Sequence, residues 1–263
     1  MASQLQHQAL SNTDKQEHRL LFILLDMNGT LLYRRKPKGI LTSRAPDFVH
    51  DVTAIEYYLR PGAVEFIKFL LSHPQVHPGV LTSMRHDNAL PAVLELEKRA
   101  FELIRSAGAG GKELEESSLG NQMVNLSLQE KVPTLSSMMP MFCGGDFNVP
   151  DKNRGVKPWD SMRKLELVWE HEYERLGQRF DGTNTLMIDD SLRKMRYYPL
   201  NVLQVSEYDE DAVQADDDDE LVHLMKYMKF LLEDLESTSG GKDQRDVRHF
   251  VEATPWKGIT TFV

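Results

Sequence analysis

Leu20-Leu21-Phe22-Ile23-Leu24-Leu25-Asp26-Met27-Asn28-Gly29-Thr30-Leu31-Leu32 is the stretch that decides the fold of this chain. Six bulky apolar residues in succession predict a central parallel strand buried on both faces, and Gly29 permits a sharp turn just past its carboxyl end. Such a strand delivers Asp26 to the edge where open α/β sheets bind ligands.

Working outward, residues 33–59 show weak periodicity with several Pro, Gly and Ser/Thr residues, and read as an extended loop or hairpin excursion overhanging that edge. Arg60-Pro61-Gly62 then punctuates the start of a helix over 63–73, with Val64, Ile67, Leu70 and Leu71 on one face. Residues 76–81 form the next short strand, running into Thr82-Ser83. Helical periodicity returns over 91–104 and stops at the glycine-rich run 106–111. Residues 112–140 lack sustained periodicity and read as a surface insertion, with 141–143 a brief strand. Lys157-Pro158-Trp159 opens a helix predicted through about residue 176, with Met162, Leu165, Val168 or Trp169, and Leu176 facing the core. A second apolar strand, 185–189, ends in Asp189-Asp190-Ser191, and a short strand over 201–205 follows. Leu221, Leu224, Met225, Met228, Leu231, Leu232 and Leu235 mark a final amphipathic helix whose methionines are core packing.

With 263 residues and 41% hydrophobic content the chain can bury a proper core. No apolar stretch approaches the roughly 20 residues that span a bilayer, and the polar first 19 residues lack a signal-peptide layout, so a soluble intracellular protein is expected. A single cysteine, Cys143, excludes an internal disulfide and a thiolate metal cluster. The net charge of −9 is local: residues 207–220 carry nine acids and no base. Elsewhere the charges balance, and Arg34, Arg35, Lys36 and Lys38 form a basic cluster near Asp26. Four surface bases require no polynucleotide, so nucleic acid is not the expected partner. The Asp216 to Asp219 run reads as a solvated loop with an acidic start to the next helix, favoured by the helix dipole.

The polar residues at these strand ends and helix starts fit phosphoryl transfer. A phosphate ester repels an incoming nucleophile, so its cleavage needs a positioned nucleophile, charge neutralisation and help for the leaving group. Asp26 is the candidate nucleophile. Asp26, Asp189 and Asp190 form a hard oxygen set suited to Mg²⁺. Thr82 and Ser83 offer hydroxyls to phosphoryl oxygens, and Lys157 neutralises developing charge. Alone, Asp-Asp-Ser is a common turn, Thr-Ser a common helix cap and Lys-Pro a common helix start. The order and placement of all four motifs point to one shared site.

Asp26-Met27-Asn28-Gly29-Thr30 resembles the first motif, Asp-x-Asp-Gly-Thr, of the haloacid dehalogenase superfamily, with Asn28 at the second Asp. Together with Leu59-Arg60-Pro61-Gly62-Ala63-Val64-Glu65-Phe66, Val80-Leu81-Thr82-Ser83, Ile188-Asp189-Asp190-Ser191 and the ending Asp246-Val247-Arg248, the chain is similar to one branch of it. That branch is the RNA polymerase II C-terminal-domain phosphatase family, also called nuclear LIM interactor-interacting-factor-like. The resemblance implies an α/β fold, a Rossmann-like parallel sheet flanked by helices, with no large cap; the long segment at about 106–156 departs from the family's short connection and reads as a surface insertion. The resemblance divides the chain into an N-terminal segment 1–19, a phosphatase-like domain 20–250 with an insertion at about 106–156, and a tail 251–263. It also implies that the backbone carbonyl of Asn28 joins the Mg²⁺ ligands.

The function so implied is a Mg²⁺-dependent protein serine/threonine phosphatase acting through an aspartyl-phosphate. Its partner is a phosphorylated protein segment carrying phosphoserine or phosphothreonine, in the nucleus or cytoplasm. The family's second Asp transfers protons, which a carboxamide cannot do at neutral pH, so Asn28 is expected to weaken turnover. The alternative is a catalytically dead module that binds phosphoprotein or assembles a complex.

Overall fold

The computed structural model describes residues 20–37, 44–108, 137–150, 161–237 and 246–256. Its centre is a five-stranded, wholly parallel sheet in the order β10 (Val202–Gln204), β9 (Thr185–Asp189), β1 (Leu21–Leu25), β5 (Val76–Thr82), β6 (Met141–Cys143). All five residues of β1 are buried. Their side chains alternate: Leu21, Ile23 and Leu25 enter the larger core cluster, Phe22 and Leu24 the smaller one. A strand with cores on both faces needs an unbroken apolar run, which is what the sequence supplies.

Helices cover both faces of the sheet. On the larger cluster lie α1 (Ala63–Ser72), α2 (His86–Gly108), α5 (Glu220–Ser237) and α6 (Val247–Ala253). Helix α1 buries Ala63, Phe66, Ile67 and Leu70, one face of a 3.6-residue period, with Val64 and Leu71 partly buried beside it. In α5, Leu221, Leu224, Met228, Leu231 and Leu232 are buried, so its methionine-containing stripe is core. On the other face α3 (Leu165–Leu176) contributes Leu165 and Val168. The short α4 (Glu210–Ala215) is capped by Asp209, whose side chain accepts from the Ala212 N–H.

Several boundaries differ from the sequence reading. The described residues of the segment 33–59 include a three-stranded antiparallel sheet in the order β2 (Leu32–Arg35), β4 (Glu56–Leu59), β3 (Phe48–Val49). The described part of the helix expected from Lys157 through 176, which begins at Ser161, is two elements. Ser161–Arg163 is strand β8, paired antiparallel with β7 (Asn148–Pro150), and the helix begins at Leu165. Lys164, at φ −125° and ψ 88°, breaks the path between them. Leu176, expected in the core, is 46% exposed on the last turn before Gly177. Helix α2 starts at His86, before Pro91, because buried Ala89 and the Asn88 carbonyl, which accepts from Tyr57 Oη at 2.8 Å, tie the extra turn down. Within the segment 106–156 read as an insertion, β6 is an edge strand of the main sheet and Phe142 is buried. The segment 1–19 lies outside the described residues, and α6 runs across the expected boundary at 250. Among the described residues, no helix is long and apolar enough to cross a membrane.

Candidate active site

Strand order reverses at β1. The chain runs outward through β5 and β6, then crosses to β9 and β10 on the other side. The crevice beyond the carboxyl ends of β1 and β9 is therefore the place where such sheets bind ligands. Parallel register carries both acids to it, with Leu25 opposite Ile188, so that Asp26 and Asp189 follow side by side.

The structure brings Asp26, Thr82, Ser83, Asp189 and Asp190 together here. Asp26 is 2% exposed; its Oδ1 accepts from the Met27 N–H at 2.8 Å. Its Oδ2 meets two cations, Arg163 Nη2 at 2.7 Å and Lys194 Nζ at 3.0 Å. Burial raises this carboxyl, but Arg163, then Lys194, the Thr82 side chain and the Met27 N–H outweigh it and hold the group below the usual carboxylate range. Asp26 is thus an ionised, desolvated nucleophile candidate. Asp189, fully buried, is pushed the other way by burial and by the charges of Asp26 and Asp190, against the pull of Arg163 and Lys194. Its Oδ1 accepts from the Ser191 N–H at 2.8 Å, which makes the Asp-Asp-Ser turn.

Asp190 is positioned by Thr30, whose Oγ1 accepts the Asp190 N–H at 3.1 Å. Gly29 gives it room. At φ +87° glycine is the fitting residue, and a Cβ there would stand 3.0 Å from Asp190 Oδ2. Asp190 Oδ1 is buried with no hydrogen-bond partner. Asp26, Asp189 and Asp190 each offer one oxygen within 4.8 Å of the others. Three convergent carboxylates, one with an orphaned buried oxygen, are a donor set that fits a hard divalent cation such as Mg²⁺.

Asn28 faces elsewhere with its side-chain oxygen, which accepts the Arg34 N–H at 3.2 Å and so ties the turn to β2. Lys157 lies outside the described residues, as does Lys38 of the basic cluster. Within that cluster Arg35 pairs with Glu56 at 2.7 Å.

Two cations at the site were missed from the sequence. Arg163 is fully buried and spends its donors on Asp189 Oδ2 (Nε 3.1 Å, Nη2 2.9 Å), Ser83 Oγ (3.1 Å) and Asn148 Oδ1 (2.7 Å), besides Asp26. Asn148 in turn donates to the carbonyls of Thr82 and Gly144. The antiparallel pairing of β8 with β7 sets this guanidinium beside Asn148, and reading 157–176 as one helix hides it. Lys194 lies in a 3₁₀ turn (Leu192–Met195) directly after β9. Its four-residue spacing from Asp190 was the available signal.

A third cation braces the site from behind. Arg60, side chain fully buried, donates to the carbonyls of Thr30 (3.2 Å) and Ser206 (2.9 Å) and pairs with Asp218. The acidic run is therefore not wholly solvated: Asp218 also accepts from the Glu220 N–H, at the first residue of α5.

Residues 153–239, which hold Arg163, Asp189, Asp190 and Lys194, match the family model described as NLI interacting factor-like phosphatase. No curated protein matches the chain. Among solved structures the chain is similar to the fission yeast RNA polymerase II CTD phosphatase Fcp1 bound to beryllium fluoride. The two are 11% identical over 90% of this chain and 71% of that one, with a TM-score of 0.48. A second structure of Fcp1, described as an essential RNA polymerase II CTD phosphatase, is 12% identical over the same shares, with a TM-score of 0.46. The family match lies on the half of the chain that supplies Asp189 and Asp190, and the sheet joins that half to Asp26 and Thr82. Residues 153–239, about a third of the chain, are thus similar to an NLI interacting factor-like phosphatase domain.

Proposed function

We propose that the protein is a Mg²⁺-dependent protein serine/threonine phosphatase that works through an aspartyl-phosphate on Asp26, with turnover limited by Asn28. The observation that carries this reading is the Asp26 carboxylate itself, buried at the strand-order reversal, held ionised by two cations and flanked by the Thr82 side chain. A carboxylate oxygen of Asp26 attacks phosphorus, the bond from phosphorus to the serine or threonine oxygen breaks, and the electron pair leaves with that oxygen. Water then attacks the same phosphorus and returns Asp26 as carboxylate. The Thr82 and Ser83 hydroxyls donate to the phosphoryl oxygens, and Arg163 offsets their charge, the part the sequence gives to Lys157. Asp26, Asp189, Asp190 and the Asn28 carbonyl would hold Mg²⁺, which neutralises charge on the phosphoryl group. The family resemblance implies a site with no large cap, which would admit a phosphorylated protein segment.

Asn28 leaves the departing oxygen and the attacking water without a proton carrier. The alternative, a non-catalytic phosphoprotein-binding module, draws on the same residue, whose side-chain oxygen is occupied by the Arg34 N–H. The deciding experiment is phosphate release from phosphoserine peptides with and without Mg²⁺, comparing the protein with Asn28→Asp and with Asp26→Asn as the blank. We expect Asn28→Asp to raise turnover by about 10²–10⁴, the range of general acid–base catalysis. Silence of both the protein and Asn28→Asp toward every phosphoester overturns the enzyme and leaves the binding module.

A further inference from the structure

The Lys194 ammonium stands over the same three carboxylates that fit a divalent ion. Its Nζ is 3.0 Å from Asp26 Oδ2, 3.8 Å from Asp189 Oδ1 and 3.9 Å from Asp190 Oδ1, so one cation addresses one oxygen of each acid. Among these only the Asp26 contact is a hydrogen bond; the other two are charge contacts. The turn that carries Lys194 is anchored by Met195, which is fully buried, and by the Lys194 N–H, which donates to the Ser191 carbonyl at 3.1 Å. The lysine stem thus starts from a fixed base four residues beyond Asp190.

Two positive groups serve this cluster, and they are held differently. Arg163 is fully enclosed and fastened by Asp189, Ser83 and Asn148 as well as Asp26, so it has nowhere to go. Lys194 has a side chain 15% exposed, a flexible stem and a single hydrogen bond. Three carboxylates in a buried site facing Arg163 alone would be left with uncompensated negative charge, which Lys194 relieves. An ammonium and a divalent cation cannot occupy the focus of the same three carboxylates, because their repulsion at such separations is strong in a site shielded from water.

We propose that Lys194 is a tethered counter-ion: it holds the carboxylate cluster together in the metal-free protein and is displaced when a divalent cation enters. The metal affinity of this chain is then set by competition with its own lysine. The inference rests on the reading of Asp26, Asp189 and Asp190 as a divalent-cation site. It assigns to Lys194 a regulatory role that neither phosphate chemistry nor folding requires.

Two measurements test it, both on the full chain and neither on activity. Free Mn²⁺ is counted by electron paramagnetic resonance during titration of the protein and of Lys194→Met. A lysine that occupies the site most of the time lowers apparent affinity by the fraction of time the site is open, so the variant binds about tenfold tighter or more. In parallel, the unaltered protein is pulsed with an amine-acylating reagent with and without Mn²⁺, and Lys194 labelling is read by peptide mass mapping. Displacement raises labelling of Lys194 several-fold while Lys68 and Lys229, remote from the site, stay constant. This second arm does not depend on the variant folding. Equal Mn²⁺ affinity in both proteins, or labelling of Lys194 indifferent to Mn²⁺, overturns the inference and leaves the metal site standing. Absence of Mn²⁺ binding in both proteins overturns the inference and the metal site together.

Discussion

Arg60 and Asp218, 158 residues apart in sequence, form a two-point pair: Arg60 Nε donates to Asp218 Oδ1 at 2.9 Å and Nη2 to Oδ2 at 2.7 Å. The same guanidinium donates to the Thr30 carbonyl, and the Thr30 hydroxyl oxygen accepts the Asp190 N–H. The pair is therefore linked, through one threonine, to the placement of a candidate metal ligand. Replacing Arg60 by Ala strands Asp218 and two carbonyls, and a broken buried pair costs about 3–5 kcal/mol. Urea unfolding should show this loss. Asp218→Asn, which keeps the shape and one acceptor, should cost less.

Arg163 touches both Asp26 and Asp189, so a substitution there that keeps the charge tests the chemistry with least loss of the buried pairing. In the Asn28→Asp background, Arg163→Lys keeps a charge but loses the planar fork that reaches Asp189, Ser83 and Asn148 at once. Turnover should fall about 10²–10³-fold, the scale of losing one preorganised charge-stabilising donor, as measured by phosphate release under saturating peptide. Equal turnover in Arg163→Lys would mean that a point charge suffices.

Away from the site, Glu172 is a buried carboxylate bonded to His77 Nε2 at 2.9 Å and to Arg175 Nη2 at 2.6 Å. Burial raises its pKa, but the His77 and Arg175 interactions outweigh it and hold the group down to about 2, against an ordinary 4.5. A carboxyl depressed on folding stabilises fully above the unfolded value and loses that contribution as pH falls through the folded one. The difference in melting temperature between the protein and Glu172→Gln should accordingly shrink as pH falls from about 5 toward 2. A gap that instead widens in acid would contradict the assignment.

Cys143 ends β6 beside the site, and burial, then the Asp26 charge, push its thiol up to about 11 from an ordinary 9.0. Thiolate is the reactive form, so alkylation at pH 8 should run about 100-fold slower in the native protein than in the urea-unfolded chain. Asp26→Asn removes one of the two causes and should speed the native reaction. Mass spectrometry after timed iodoacetamide exposure reads both rates.

Much of the candidate site was legible because its residues sit at ends of apolar runs. The strand at 20–25 announces Asp26, the strand at 185–189 announces Asp189 and Asp190, and Thr82 closes the run at 80–82. Arg163 was not legible, since Met162, Leu165 and Val168 satisfy a helical period whether or not the helix begins at 157. Only the pairing of Ser161–Arg163 with Asn148–Pro150, a contact between segments whose intervening residues carry no periodic signal, makes a strand there. Nor does an acidic run in sequence reveal that one of its members, Asp218, is spoken for by Arg60.

The sequence by itself determined the parallel α/β sheet, its two-sided core, the order of the polar motifs and the carboxamide of Asn28 in the turn after the first strand. These are local properties, written in runs of apolar residues and in single side chains. Tertiary structure alone decided that Lys194 and Arg163 converge on one oxygen of Asp26, and that Arg60 reaches Thr30 and Asp218. Charge pairing depends on distances across the fold, and for Arg163 and Arg60 no spacing along the chain encodes those distances.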